Sequence, residues 1–324
     1  MQAIMNDILT KSSSLPGVTL RKGPDSNELI LHTANGEGRM VFYTLFSGIH
    51  LAYINVEALS WPESDTNAEC KPLLINYCVS GRSELLLVDN TYIYMKGKDL
   101  SVSKQTAQKE YIFPTKNYEG LKMYFDLDLI DKESKDLLQS FDIDMRKLEQ
   151  IYCRNGKTYI VEGTNRVEGI LKRIWDLSEH PSIFHMRMYV LELIDLLLKD
   201  PLYSLRPCTF YTGVQVEIAK KAENILITNL HKHYPIKKLA ERFSISETSL
   251  KNYFRGVYGQ NISVYLREYR MNKGAQLLAE TQKPISEISA QIGYTNQGKF
   301  AALFKQQFNM TPLEYRRVKR LEKI

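Results

Sequence analysis

Apolar positions along this chain recur with two different periods. From about Leu29 to Leu127 they come in short runs rich in β-branched and aromatic residues: Arg39-Met-Val-Phe-Tyr-Thr-Leu-Phe, Ile49-His-Leu-Ala-Tyr-Ile-Asn-Val and Leu73-Leu-Ile-Asn-Tyr-Cys-Val. Turn residues bound them at Asn35-Gly36, Ser47-Gly48 and Ser80-Gly81, so they predict strands. The runs 82–88 and 91–96 flank Asp89-Asn90, which predicts a two-residue hairpin turn. Gly97-Lys-Asp99 then leads into Leu100-Ser-Val-Ser. Closely spaced strands with such turns predict a small antiparallel barrel or sandwich.

From Asp128 the period lengthens. Helices are predicted over 129–138, 145–151, 164–178 and 183–198, and Thr158-Tyr-Ile-Val-Glu is either an extended piece or a helix lead-in. Val167, Ile170, Leu171, Ile174 and Trp175 form one stripe; Met186, Tyr189, Val190, Leu193, Ile194 and Leu197 form another. Such helices either close over the strands or pair with a second chain. Asp200-Pro201 stops the last of them, and 202–213, with Pro207 and a glycine, reads as a linker.

The final segment is helical throughout. Val214, Ile218, Ala222, Ile225 and Leu226 recur at helical spacing, and Ile262 to Ala279 forms one long helix by pattern. Around that helix stand two similar units. The first runs Ile236-Lys-Lys-Leu-Ala-Glu-Arg-Phe243, Ser-Ile-Ser246, then Glu247 to Gly259. The second runs Ile285-Ser-Glu-Ile-Ser-Ala-Gln-Ile292, Gly-Tyr-Thr-Asn296, then Gln297 to Asn309. Ser246 and Asn296 are N-caps by type. Leu250 and Phe254 follow the first cap at four and eight residues, as Phe300 and Phe304 follow the second. This is a helix-turn-helix pattern in tandem, which suits two successive major-groove contacts with double-stranded DNA.

Charge sharpens that reading. From Val214 onward there are 19 Lys/Arg against 9 Asp/Glu, a net of +10, while the remainder holds 24 against 28, a net of −4. A basic segment joined to a mildly acidic one is the footprint of a nucleic-acid module attached to something else. The 324 residues suggest two domains. No apolar run approaches the ~20 residues of a spanning helix, and Met1-Gln-Ala-Ile-Met-Asn-Asp shows no secretory pattern. Cys70, Cys78, Cys153 and Cys208 are scattered, which argues for reduced thiols in a cytoplasmic protein rather than a disulfide framework or zinc site.

The run Leu239-Ala240, Ser246, Leu250, Phe254, Gly259, Tyr265-Leu266, Arg270, Ala275, Leu277-Leu278, Ile285, Ile288, Ile292-Gly293-Tyr294, Phe300, Phe304-Lys305 and Thr311-Pro312-Leu-Glu-Tyr315-Arg316 resembles the AraC/XylS transcriptional regulators. It covers the last third of the chain. The resemblance implies a seven-helix DNA-binding domain with two reading helices joined by a rigid helix. Ser289 stands where the family usually has Ala, Asn296 where it has Asp, and Asn309 where it has Gly. Gly298 and Lys299 replace Ser and an aromatic, and Ala301-Ala302 replace a frequent Ser-Arg pair. The first reading helix offers Thr248, Lys251, Asn252 and Arg255 to DNA; the second offers Gln297, Lys299 and Lys305. Because Ala301 and Ala302 carry no donor, the first motif should discriminate bases and the second should mainly position.

The first half resembles, through Gly81-Arg82 and Lys96-Gly97-Lys98-Asp99-Leu100, the cupin-like sensor of many family members. The expected architecture is α+β. Residues 1–205 form a cupin-like β-barrel or sandwich with a helical dimerisation segment, 206–213 a linker, and 214–324 an all-α domain with two helix-turn-helix motifs. His32, His50, His180 and His185 are not clustered, so no metal and no cofactor is expected. A small organic effector inside the barrel would meet Arg82, Glu84, Tyr92 and Tyr94 of the central hairpin. Helices 164–178 and 183–198 are the expected coupling and homodimer surface, and RNA polymerase is a further expected partner. The alternative is a first half that only dimerises. No phosphate loop, nucleophile elbow or HExxH supports an enzyme.

Overall fold

The computed structural model describes residues 3–62, 72–87, 90–104, 110–153, 159–201, 209–232 and 234–321. Asp89 of the expected hairpin turn, Cys70, Cys208 and residues 206–208 of the expected linker lie outside these residues. The chain divides into two compact units, Met1–Phe210 and Tyr211–Ile324.

The first unit opens with helix α1 (Ala3–Ser13) and strand β1 (Val18–Lys22), neither of which the apolar pattern indicates. There follow β2 (Ser26–Thr33), β3 (Gly36–Phe46), β4 (Ile49–Ala58), β5 (Ser60–Pro62), β6 (Leu73–Leu86), β7 (Thr91–Lys96), β8 (Asp99–Lys104), β9 (Glu110–Ile112) and β10 (Tyr118–Phe125). After three helices comes β11 (Tyr159–Glu162), the extended alternative for that segment. The main strand order is β1-β2-β3-β4-β10-β6-β7, with β8 and β9 also paired to β6. The neighbours are antiparallel.

Both faces of β4 and β10, at the centre of this sheet, are largely buried, and strand alternation decides which residue serves which face. Ile49, Leu51 and Tyr53 of β4, with Leu121, Met123 and Phe125 of β10, join a core shared with the helices. Ala52, Ile54 and Val56, with Tyr124, join a second cluster that includes Met5, Ile8 and Leu9 of α1. This explains why these strands read as continuously apolar.

Ser80-Gly81 is not a chain reversal, as the turn signal suggested. It lies inside β6, whose first part pairs with β8 and β10 and whose last part pairs with β7. Gly81 has φ +80, and a Cβ there would lie 2.1 Å from the Asn117 carbonyl oxygen. The glycine therefore permits the strand to bend rather than end. Gly81→Ala is expected to destabilise the first unit by about 2 kcal/mol or more, from the left-handed backbone and the displaced Asn117 peptide. An unchanged urea midpoint for the full chain would reject this account.

Helices α2 (Leu127–Glu133) and α3 (Lys135–Gln139) replace the single helix expected over 129–138. Ser134 breaks it with φ −123 and ψ 0, while its hydroxyl donates to the Ser47 carbonyl at 2.8 Å. Asp144, Thr164 and Ser182 cap α4 (Met145–Tyr152), α5 (Asn165–Asp176) and α6 (Ile183–Lys199) through side-chain oxygens. Leu193 and Leu197 of α6 are fully buried in the core shared with β4 and β10. The Tyr53 hydroxyl donates to the Ile174 carbonyl at 2.7 Å, and the Tyr152 hydroxyl to the Leu197 carbonyl at 3.1 Å. The two apolar stripes thus close over the sheet, and Leu193 and Leu197 are not a surface for a second chain. The large apolar residues that α6 exposes are Phe184 and Met188.

The second unit comprises α7 (Gly213–Thr228), α8 (Ile236–Arg242), α9 (Glu247–Tyr258), α10 (Ile262–Glu280), α11 (Ile285–Gln291), α12 (Gln297–Phe308) and α13 (Pro312–Leu321). Leu250, Phe254 and Val257 are buried on α9, and Phe300 and Phe304 on α12. Among the described residues, no helix is long and apolar enough to cross a membrane.

Candidate nucleic-acid interface

The two helix pairs are built alike. Pro235 and Pro284 precede α8 and α11 at positions where a missing N–H costs little. Leu239 and Ala240 on α8, like Ile288 and Ser289 on α11, are buried. Ser289 fits a site usually held by alanine because its hydroxyl turns back to the Ser286 carbonyl at 2.9 Å. Ser244 (φ 54) and Gly293 (φ 90) supply the left-handed residue of each turn. The Ser246 hydroxyl accepts from the Ser249 N–H at 3.0 Å, and the Asn296 side chain accepts from the Lys299 N–H at 3.0 Å. Gly259 and Asn309 end α9 and α12 in the left-handed conformation.

These caps and the buried pairs Leu250/Phe254 and Phe300/Phe304 fix which faces point outward. On α9, Thr248, Lys251, Asn252 and Arg255 are all exposed and fall at helical spacing on one stripe. Lys251 meets Glu247 at 2.5 Å, an exposed pair of the kind that contributes little and yields readily to another partner. On α12, the same positions counted from the cap are Gly298, Ala301, Ala302 and Lys305. Gln297, Lys299 and Lys305 are exposed, and so is Gln306, which the sequence reading passed over.

Arg270 on α10, which the sequence marks only as part of the family pattern, makes a further contribution. Its guanidinium donates to the Leu230 carbonyl beyond α7 at 2.7 Å and lies 5.8 Å from the centre of the Tyr294 ring. A Cβ on Gly293 would lie 2.8 Å from an Arg270 nitrogen. One half-buried arginine thus ties the end of the α7 segment to the turn of the second motif. The sequence gives only a weak signal for this, a cation beside an otherwise apolar stripe.

The family described as a helix-turn-helix domain matches residues 239–318. The regulatory protein SoxS of Escherichia coli strain K12 is 35% identical over 78 residues, which are 24% of this chain and 73% of that protein. The chain belongs to the AraC/XylS family of transcriptional regulators. The HTH-type transcriptional activator RhaR of Enterobacter sp. strain 638 is 28% identical over 102 residues, 32% of this chain and 36% of that protein. The lactose operon transcription activator of Staphylococcus xylosus is 32% identical over 108 residues, 32% of this chain and 39% of that protein. The chain therefore spans little more than a third of these two longer relatives. An AraC-type regulator structure from Chromobacterium violaceum aligns at 26% identity and a TM-score of 0.30, covering 32% of this chain and 92% of that one. The relatives' names are those of regulators, which argues against an enzyme.

A cavity of about 70 Å³ lies among Met40, Ile54, Met95, Ser83, Tyr118 and Lys122. Lys122 is buried, with its ammonium 4.4 Å from the Tyr111 ring centre and 5.1 Å from that of Tyr124. Arg82, Glu84, Tyr92 and Tyr94 do not line this cavity. Strand alternation puts Ser83 and Leu85 toward it and Arg82 and Glu84 on the other face. There the Tyr94 hydroxyl donates to Glu84 at 2.6 Å, and Arg82 stands over the Tyr94 ring at 5.5 Å. Their polar groups thus engage one another.

Proposed function

We propose that the chain is a DNA-binding transcriptional activator that reads two successive major grooves with α9 and α12, and that its first unit binds a small organic effector. The observation that carries the DNA reading is the repeated capped helix, each copy with its aromatic or aliphatic residues turned inward and its polar residues outward. Helix α10, with 19 residues, is about 28 Å long and links the two motifs without a break. That suits reading helices set about one DNA turn apart, ~34 Å. A cavity in the first unit that holds the buried Lys122 favours a sensor over a module that only dimerises. The names of RhaR and the S. xylosus protein favour activation, with RNA polymerase as the further partner.

The two motifs divide the work. Asn252 can pair with adenine, and Lys251 or Arg255 with guanine, while Gly298, Ala301 and Ala302 offer only close approach or contact with a thymine methyl. Lys251→Ala and Asn252→Ala are each expected to lower discrimination between an operator selected from random duplexes and bulk DNA by roughly 1–3 kcal/mol. Lys305→Ala is expected to weaken both kinds of DNA equally. A base-substitution scan in which both half-sites discriminate alike would defeat the proposed asymmetry.

A further inference from the structure

The first unit has a second, larger and more polar opening that the sequence reading did not suggest. It is a cleft of about 330 Å³ bounded by Asn6 of α1, Asp25 and Asn27 at the start of β2, Thr44 and His50 at the β3–β4 end, and Arg187 of α6. Arg187 is held in place by its Nε, which donates to the Leu45 carbonyl at 2.6 Å, and by the Phe46 ring, 5.3 Å away. Among the described residues, its two terminal nitrogens have no hydrogen-bond or ion-pair partner. A guanidinium anchored at Nε leaves its outer N–H pair aimed as a fork, a geometry that matches a planar carboxylate.

The other groups complement it. His50 is buried, with Nδ1 3.1 Å from the Thr44 hydroxyl. Burial pushes the imidazole down to about 4, so it is neutral above pH 5 and brings no second positive charge. When the Thr44 hydroxyl donates to Nδ1, the remaining ring nitrogen carries the proton and donates. Asn6 and Asn27 add amides that both donate and accept, and Asp25 adds one carboxylate acceptor. An apolar ligand would cover the buried His50 without offering it a partner, and a neutral one would gain nothing from the charge of the fork.

We propose that this cleft is the effector site, and that it takes a small carboxylate-bearing metabolite with hydrogen-bonding groups of its own, its carboxylate held by Arg187. This rests on the sensor reading above and adds to it the place and chemical class of the ligand. The cleft joins α1 and the sheet to α6, so a ligand there favours the arrangement in which these elements are closed together. It acts only through its differential affinity for that arrangement.

The test is thermal unfolding of the full chain with glutamate, malate, citrate, inorganic phosphate and glucose as probes. At about a hundredfold excess over Kd, a binding carboxylate should raise the first unit's transition by roughly 5–10 °C. The shift should vanish in Arg187→Gln and fall at least tenfold in apparent affinity in Arg187→Lys, which keeps charge but loses the fork. Asn6→Asp, at an exposed position, should also weaken binding by adding a negative charge, so the test stands even if the Arg187 variants misfold. No saturable shift with any carboxylate, or shifts untouched by folded Arg187 and Asn6 variants, would overturn the proposal. So would a response to phosphate or glucose alone, or loss of binding in Lys122→Gln but not in Arg187→Gln. In that last case the sensor reading survives and only the site is wrong. DNA retention measured on the same samples shows whether the DNA-binding reading stands independently.

Discussion

Raising monovalent salt from 50 to 200 mM is expected to weaken binding of the full chain to duplex DNA by roughly 10³–10⁵-fold if six to ten phosphates are contacted. The cause is release of condensed counterions, which depends on the number of cations that meet phosphates. The segment from Val214 onward supplies 19 Lys/Arg against 9 Asp/Glu. Lys251, Arg255, Lys299 and Lys305 are exposed on the reading helices, and Lys237 and Lys238 at the start of α8. If Lys251 and Arg255 face bases and about six others of the 19 cations meet phosphates, the slope of log affinity against log salt is near −5. Lys305→Ala should reduce that slope by about one, whereas Asn252→Ala should leave it unchanged while relaxing base discrimination. A slope near zero for a folded protein would reject phosphate-driven binding altogether. An equal slope change for both variants would reject the assignment of Asn252 to a base.

Leu193→Glu is expected to unfold the first unit, with a loss exceeding about 4 kcal/mol, because it places a carboxylate where no water or partner can reach it. Leu193 is fully buried in the same cluster as Leu51, Ile170, Ile174 and Leu197. Phe184→Glu one face away should change stability by no more than about 0.5 kcal/mol, since Phe184 is 67% exposed. Denaturant unfolding followed by circular dichroism separates the two. A fully stable Leu193→Glu protein would mean that α6 does not pack as described. If the chain is a homodimer, sedimentation should show Phe184→Glu and Met188→Glu affecting association before any substitution in the buried stripe does.

The second unit was legible in the sequence because its determinants are local. Ser246 and Asn296 cap within three residues, Pro235 and Pro284 start helices, and Gly259 and Asn309 stop them. Leu250, Phe254, Phe300 and Phe304 recur at the spacing of one helix face, so the outward faces follow by elimination. The first unit was legible as strands and helices but not as a site. Ser80-Gly81 carries the same local signal whether a strand turns back or bends onward, and only its pairing with β7 and β10 decides between them. The stripe containing Leu193 and Leu197 fits a sheet or a second chain equally well; the tertiary contact with β4 and β10 chose the sheet. The polarity of Arg82 and Glu84 suggests ligand contacts, yet strand alternation sets them on the face away from the cavity beside Lys122. His50, Asp25 and Arg187 lie far apart in the chain and share no pattern. They meet because β2, the β3–β4 end and α6 converge in space, and long-range packing of that kind leaves no periodicity for a sequence to display.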